Sequence, residues 1–150
     1  MENLKDFLEE KYLKYNKVSF IHNDPVSIPH LFTKKQDIEI AGLLAAILAW
    51  GLRTTIINKC KLFFQLMDNA PHDFILNHKE KDLKKFIGFQ LRTFNDTDAL
   101  YFIQLLSFFY AQHQSLEEAF SMNTKPEDNN SKSALTGFHN LFFSLEHFPE

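Results

Sequence analysis

DIEIAGLLAAILAWGLRTTI, residues 37–56, is the stretch whose reading decides the fold. From Ile40 to Trp50 it carries no charge, and then it runs directly into a glycine and an arginine. The run is far short of the roughly 20 residues needed to span a bilayer. A helix apolar on every side belongs inside a protein, so Ile40, Leu43, Leu44, Ile47 and Leu48 are expected in the core. The small residues Ala41, Gly42, Ala45, Ala46 and Ala49 allow neighbouring helices to approach closely. Thr33-Lys34-Lys35-Gln36 reads as a capping box that opens this helix. Gly51 is placed to close it in a left-handed conformation, and Thr54 to cap the next helix, IINKCKLFFQLM.

The rest of the chain agrees with a helical reading. Among 150 residues there are only 4 Gly and 5 Pro, so turns are few and elements long. Valine, a principal strand former, occurs only at Val18 and Val26, while phenylalanine occurs 17 times. Leu4, Phe7, Leu8 and Tyr12 share one face of a first helix. Pro25 and Pro29 keep the following segment, SFIHNDPVSIPHLF, extended or turned. Pro71 starts a short helix, Asn77-x-x-Glu80 resembles a cap for KEKDLKKFI, and Asn95 or Thr97 opens the long apolar helix DALYFIQLLSFFYAQH. Ser115 caps LEEAF, and ALTGFHNLFFSLEHF forms a last helix ending at Pro149. The polar stretch 123–133 reads as a flexible loop. The expectation is an all-α, irregular bundle of about seven helices, forming one domain over residues 1–150.

Composition also bounds function. One cysteine, Cys60, excludes an intrachain disulfide framework and a cysteine-rich zinc site. The acidic, basic and apolar alternation at the N-terminus is not a signal peptide, and a soluble cytoplasmic protein is expected. The net charge of −3 gives no general attraction to nucleic acid, so any such contact needs a local basic face. The seven histidines form no H-E-x-x-H pattern, and there is no phosphate-binding glycine loop or nucleophile elbow. Neither a metal nor a cofactor is expected. Cys60 lies between two lysines but has no base partner, and Asp68, Asp73, Asp96 and Asp98 sit at helix edges where capping accounts for them.

The corner Trp50-Gly51-Leu52-Arg53 admits two readings. In one, Trp50 packs and Arg53 pairs with a carboxylate such as Asp24 or Asp37. In the other, Leu52 and Arg53 project from a rigid support toward a ligand.

The string F-I-x-x-D-P-V-x-I-P-H-x-F from Phe20 to Phe32, followed by D-I-E-I-A-G, A-W-G-x-R and R-T-F-N-x-x-D, resembles a bacterial family of uncharacterised proteins known only as a domain of unknown function. The resemblance spans nearly the whole chain and singles out Asp24, His30, Asp37, Trp50, Gly51, Arg53, Arg92 and Asp98 without assigning them a role. More distantly the family is similar to helix–hairpin–helix DNA glycosylases, in which an apolar helix ends in a loop that wedges into the duplex. That resemblance implies DNA as a partner, with Leu52, Arg53, Thr54 and Arg92 as nucleic-acid contacts. It also implies a following region that grips phosphates and carries the catalytic carboxylate. The chain stops at Glu150 before such a region, so it is expected to be the N-terminal portion of a longer protein and to catalyse nothing alone. The rival expectation is a non-enzymatic interaction module that self-associates through apolar helix faces such as LFFSLEHF.

Overall fold

The computed structural model describes residues 3–145. Over these residues the chain forms nine α-helices and three short 3-10 turns, with no strand and a single isolated bridge between Leu91 and Phe94. The helices are α1 (Leu4–Tyr15), α2 (Val18–Ile21), α3 (Lys35–Ile47), α4 (Arg53–Leu66) and α5 (Pro71–Asn77), followed by α6 (Glu80–Leu83), α7 (Asp96–Tyr110), α8 (Leu116–Ser121) and α9 (Lys132–Phe142). The count exceeds seven partly because the short α2 precedes Pro25; the Pro25–Pro29 segment itself winds into two 3-10 turns, and KEKDLKKFI breaks into α6 and a 3-10 turn at Lys84–Phe86. Among the described residues no helix is long and apolar enough to cross a membrane.

Helix α3 is the hub. Ile40, Ala41, Leu44, Ala45 and Leu48 are buried, a spacing that keeps one face of a 3.6-residue helix on the core. The helix is not enclosed on all sides. Ala46 and Ala49 are exposed, and Gly42, Leu43 and Ile47 are half-buried. Gly42, Ala46 and Ala49, expected to let a neighbouring helix approach closely, instead help form the floor of an open groove.

The ends of α3 also differ from the expected ones. Lys34 occupies the N-cap and no side chain caps the first turn, so Thr33 closes no box. The helix stops at Ile47 with Leu48 as C-cap, which leaves Gly51 three residues past the cap rather than next to it. Leu52 precedes α4 and Arg53 is its first residue, so Thr54 lies inside the helix and does not cap it. At α6 the cap is Lys79, whose N–H donates to Asp82 at 3.0 Å, in place of the Asn77–Glu80 pair. Three other starts agree with the sequence. Pro71 is the first residue of α5, the Asn95 and Asp98 side chains each accept the other's backbone N–H at the start of α7, and the Ser115 hydroxyl accepts from Glu117 N–H at α8. Helix α9 ends at Phe142, and the expected run on to Pro149 lies partly outside the described residues.

The phenylalanine surplus fills the centre. Phe63 of α4 meets Phe64, Phe86, Phe89 and Phe102 edge-on at centroid distances of 5.0–6.0 Å. Phe63, Phe64, Phe86 and Phe102 are essentially removed from water, each contributing about 2–3 kcal/mol of burial. Carboxylates on α3 fix the surrounding helices. Asp37 accepts the His72 N–H at the start of α5 at 2.8 Å. Glu39 accepts the Tyr110 hydroxyl of α7 at 3.0 Å, the Ser115 hydroxyl, and the Leu116 N–H of α8 at 2.9 Å.

Candidate α3–α4 corner site

Residues 48–53 turn the chain from α3 into α4, and several sequence-singled residues meet there. The geometry follows from two positive-φ positions. Gly51 has φ +137°, a conformation that side-chain-bearing residues rarely adopt. Arg92, with φ +56°, sits in a tight turn in which Leu91 and Phe94 exchange backbone hydrogen bonds of 2.8 and 3.0 Å. The turn points the Arg92 side chain at the corner, with its guanidinium 5.2 Å from the centroid of the Trp50 ring. A Cβ on Gly51 would fall 2.7 Å from Arg92 Nε, so the absence of a side chain at Gly51 makes the room for that guanidinium.

Two residues past Gly51, at the first position of α4, stands Arg53. Its Nε lies 3.4 Å from Asp24 Oδ2, and its guanidinium is 5.7 Å from the Phe20 ring centroid. The second Asp24 oxygen accepts the Val26 N–H at 3.0 Å, so Asp24 caps the first 3-10 turn while it faces Arg53. The pair is open to solvent on the arginine side, with Arg53 60% exposed and Asp24 20%. Arg53 thus has a carboxylate partner and is still exposed to solvent. Trp50 and Leu52 are exposed as well, so Trp50 is not a core residue.

The Arg53 guanidinium meets Asp24 through Nε at 3.4 Å, and the Arg92 guanidinium has no ion-pair partner among the described residues. The first turn of α4 has no side-chain cap and no acidic residue. Its N–H groups add their share of the helix's positive end to the two arginines. Beneath Arg53 opens the groove floored by Gly42, Ala45, Ala46 and Ala49 and walled by Pro25, Val26, Pro29 and Ile56, with a volume of about 490 Å³.

The remaining sequence-singled residues lie elsewhere. His30 is exposed on the second 3-10 turn. Asp37 works at the opposite end of α3, on α5. Asp98 caps α7 and lines a second, almost wholly apolar groove of about 390 Å³ between α3, α7 and α9. Thr54 is exposed in the first turn of α4. Sequence reading passed over Glu39, although one carboxylate in the middle of D-I-E-I-A-G-L-L was a signal that something must pair with it. Cys60 is fully buried, and burial pushes its thiol up to about 12, which makes it inert at neutral pH. Among the described residues no group of three or more His, Cys, Asp or Glu side chains could hold a metal ion.

The fold and corner define an all-helical domain presenting an exposed cluster of aromatic and arginine side chains. The chain belongs to the family described as "Protein of unknown function (DUF2400)", whose profile matches residues 24–150. Comparison with curated proteins and with solved structures gave no match.

Proposed function

We propose that the α3–α4 corner is a contact surface for a nucleic-acid backbone, and that the chain contributes binding rather than chemistry. The observation that carries this reading is the pair of guanidinium groups at the corner. Each lies over an aromatic ring; Arg53 is engaged by Asp24 at 3.4 Å through Nε alone, and Arg92 has no ion-pair partner among the described residues. Arginines held in this way are ordered in advance and keep their donor edges for phosphate oxygens. The uncapped start of α4 adds backbone donors of the same polarity. Exposed Trp50 and Leu52 offer flat apolar surface beside these cations, as single-strand and distorted-duplex binders use. The resemblance to helix–hairpin–helix glycosylases supports DNA over other polyanions. Asp24 offsets part of the positive charge, and the chain is acidic as a whole, so binding is local and salt-sensitive.

The test is fluorescence anisotropy of labelled single-stranded and duplex DNA across a salt series. Binding that weakens with salt is expected, and Arg53→Ala or Arg92→Ala should each lower the salt slope by roughly one. No binding at low salt, or binding that neither substitution changes, overturns the reading. A second reading, a non-enzymatic interaction module, is favoured by the apolar groove between α3, α7 and α9 and by exposed Leu135 and Phe143 at its edge.

A further inference from the structure

Away from the corner, helices α3, α7 and α9 leave between them a groove of about 390 Å³, within the size range of small-molecule sites. Six of its ten lining residues are aromatic: Phe94, Tyr101, Phe102, Phe138, Phe142 and Phe143. Leu43 and Ile47 of α3 complete the apolar wall. The rings are held in place. The Tyr101 hydroxyl donates to the Phe142 carbonyl at 2.7 Å, which ties α7 to the end of α9, and Phe138 stacks on Phe120 of α8 at 4.1 Å. They do not form a flat slot. Phe142 is inclined by 46° to Phe138, by 56° to Tyr101 and by 68° to Phe143, so neighbouring rings meet the groove at different angles.

Apart from the Tyr101 hydroxyl, only two of the lining residues are polar. His139 rests against the Phe143 ring, with 4.9 Å between centroids. Asp98 accepts the Asn95 N–H through Oδ2 at 2.8 Å and has no ion-pair partner among the described residues. It is the one carboxylate in the lining, and no lysine or arginine stands beside it there.

We propose that this groove binds a quaternary ammonium group. Charge and ring chemistry identify the occupant together. A cation is attracted by aromatic faces, and Asp98 supplies the complementary charge. The scarcity of hydrogen-bonding groups selects the kind of cation. A primary ammonium brings three N–H donors, and burying it where Asp98 is the one charged acceptor would strand some of them. A quaternary ammonium has no N–H, and its methyl groups suit Leu43 and Ile47. The inclined rings favour a rounded group of this sort over a planar one, which stacks on parallel faces.

The experiment is a methyl-resolved NMR titration of the full chain, following Leu43 and Ile47. The probes are choline and its neutral carbon isostere 3,3-dimethylbutan-1-ol, each up to about 10 mM. Choline is expected to shift both residues and to bind at least about fivefold more tightly than the alcohol. Asp98→Asn keeps an acceptor for the α7 cap, so the fold should persist while choline binding weakens about fivefold and alcohol binding stays unchanged. Phe143 is 54% exposed, so Phe143→Ala should also fold, and it should weaken choline binding. Equal affinity for the two probes, no shift with choline, or choline binding indifferent to both substitutions overturns the proposal. A concentration-dependent oligomer that Phe143→Ala dissolves would place a second copy in the groove and overturn it as well. Shifts of Leu43 and Ile47 in Phe148→Ala without any probe would assign the groove to the chain's own C-terminal segment, with the same consequence.

Discussion

The Arg92 guanidinium occupies the space beside Gly51 that any larger residue would need, with a Cβ placed there falling 2.7 Å from Arg92 Nε and 2.8 Å from an Nη. Two stretches 41 residues apart in sequence, at Gly51 and Arg92, thus depend on one missing side chain. Gly51→Ala should therefore act twice: it strains a backbone held at φ +137° and displaces Arg92 from Trp50. The expected loss is about 1–3 kcal/mol in urea unfolding. The Trp50 fluorescence should change even in the fully folded variant. An unchanged spectrum would mean that Arg92 does not rest on Trp50 in solution.

Arg53→Ala reads the energetics of the corner. The ion pair with Asp24 is largely solvent-exposed on the arginine side, and exposed pairs contribute about 1 kcal/mol or less. The expected change in stability stays within about 1 kcal/mol by thermal or chemical melts. A loss of roughly 3–5 kcal/mol would be the mark of a stranded buried charge and would make Arg53 a structural residue.

Glu39→Ala should be far more damaging than Arg53→Ala, although both remove one charged group. The Glu39 carboxylate takes the hydroxyls of Tyr110 and Ser115 and the N–H of Leu116, and both Tyr110 and Ser115 are buried. Removing it leaves buried donors without acceptors, at a cost of about 3 kcal/mol. Hydrogen exchange should show α8 loosening first.

His72 supplies a pH dependence with a defined sign. Burial first, and then the Lys34 ammonium 2.9 Å from its Nδ1, hold this imidazole below its ordinary value of 6.5. The unfolded chain, with the higher value, binds a proton more readily. Stability should therefore be full above about pH 6.5 and fall as pH drops through the lowered folded value. In His72→Gln the slope between pH 7 and 5 should flatten. An identical slope in the variant would assign the acid sensitivity to other groups.

Limited proteolysis should cut first within residues 123–131, which are exposed throughout and lie between α8 and α9. Mass spectrometry of the first fragments checks this. Initial cleavage inside α3 or α7 would contradict the packing described.

The helical class was set by local chemistry that any window of the chain contains: few glycines and prolines, almost no valine, and apolar residues at helical spacing. For the same reason the helix starts at Pro71, Asn95 and Ser115 were readable: proline presets its own φ, and the Asn95 and Ser115 caps find their partners within three residues. The α3 groove was not readable. Whether Ala46 and Ala49 face a neighbouring helix or open space depends on where Pro25–Pro29 and α4 come to rest, and an alanine is compatible with both. The corner was half visible. Trp50, Gly51 and Arg53 announced themselves as an abrupt end to an apolar run, and Arg92 stood out in a separate string. Their meeting around Gly51 required the fold, since the contact joins residues 41 positions apart and rests on two positive-φ backbones that no local propensity dictates. Glu39 shows the same division. Sequence placed a carboxylate on an apolar helix, and only the tertiary arrangement supplied the three donors, about seventy residues downstream, that make it stable there.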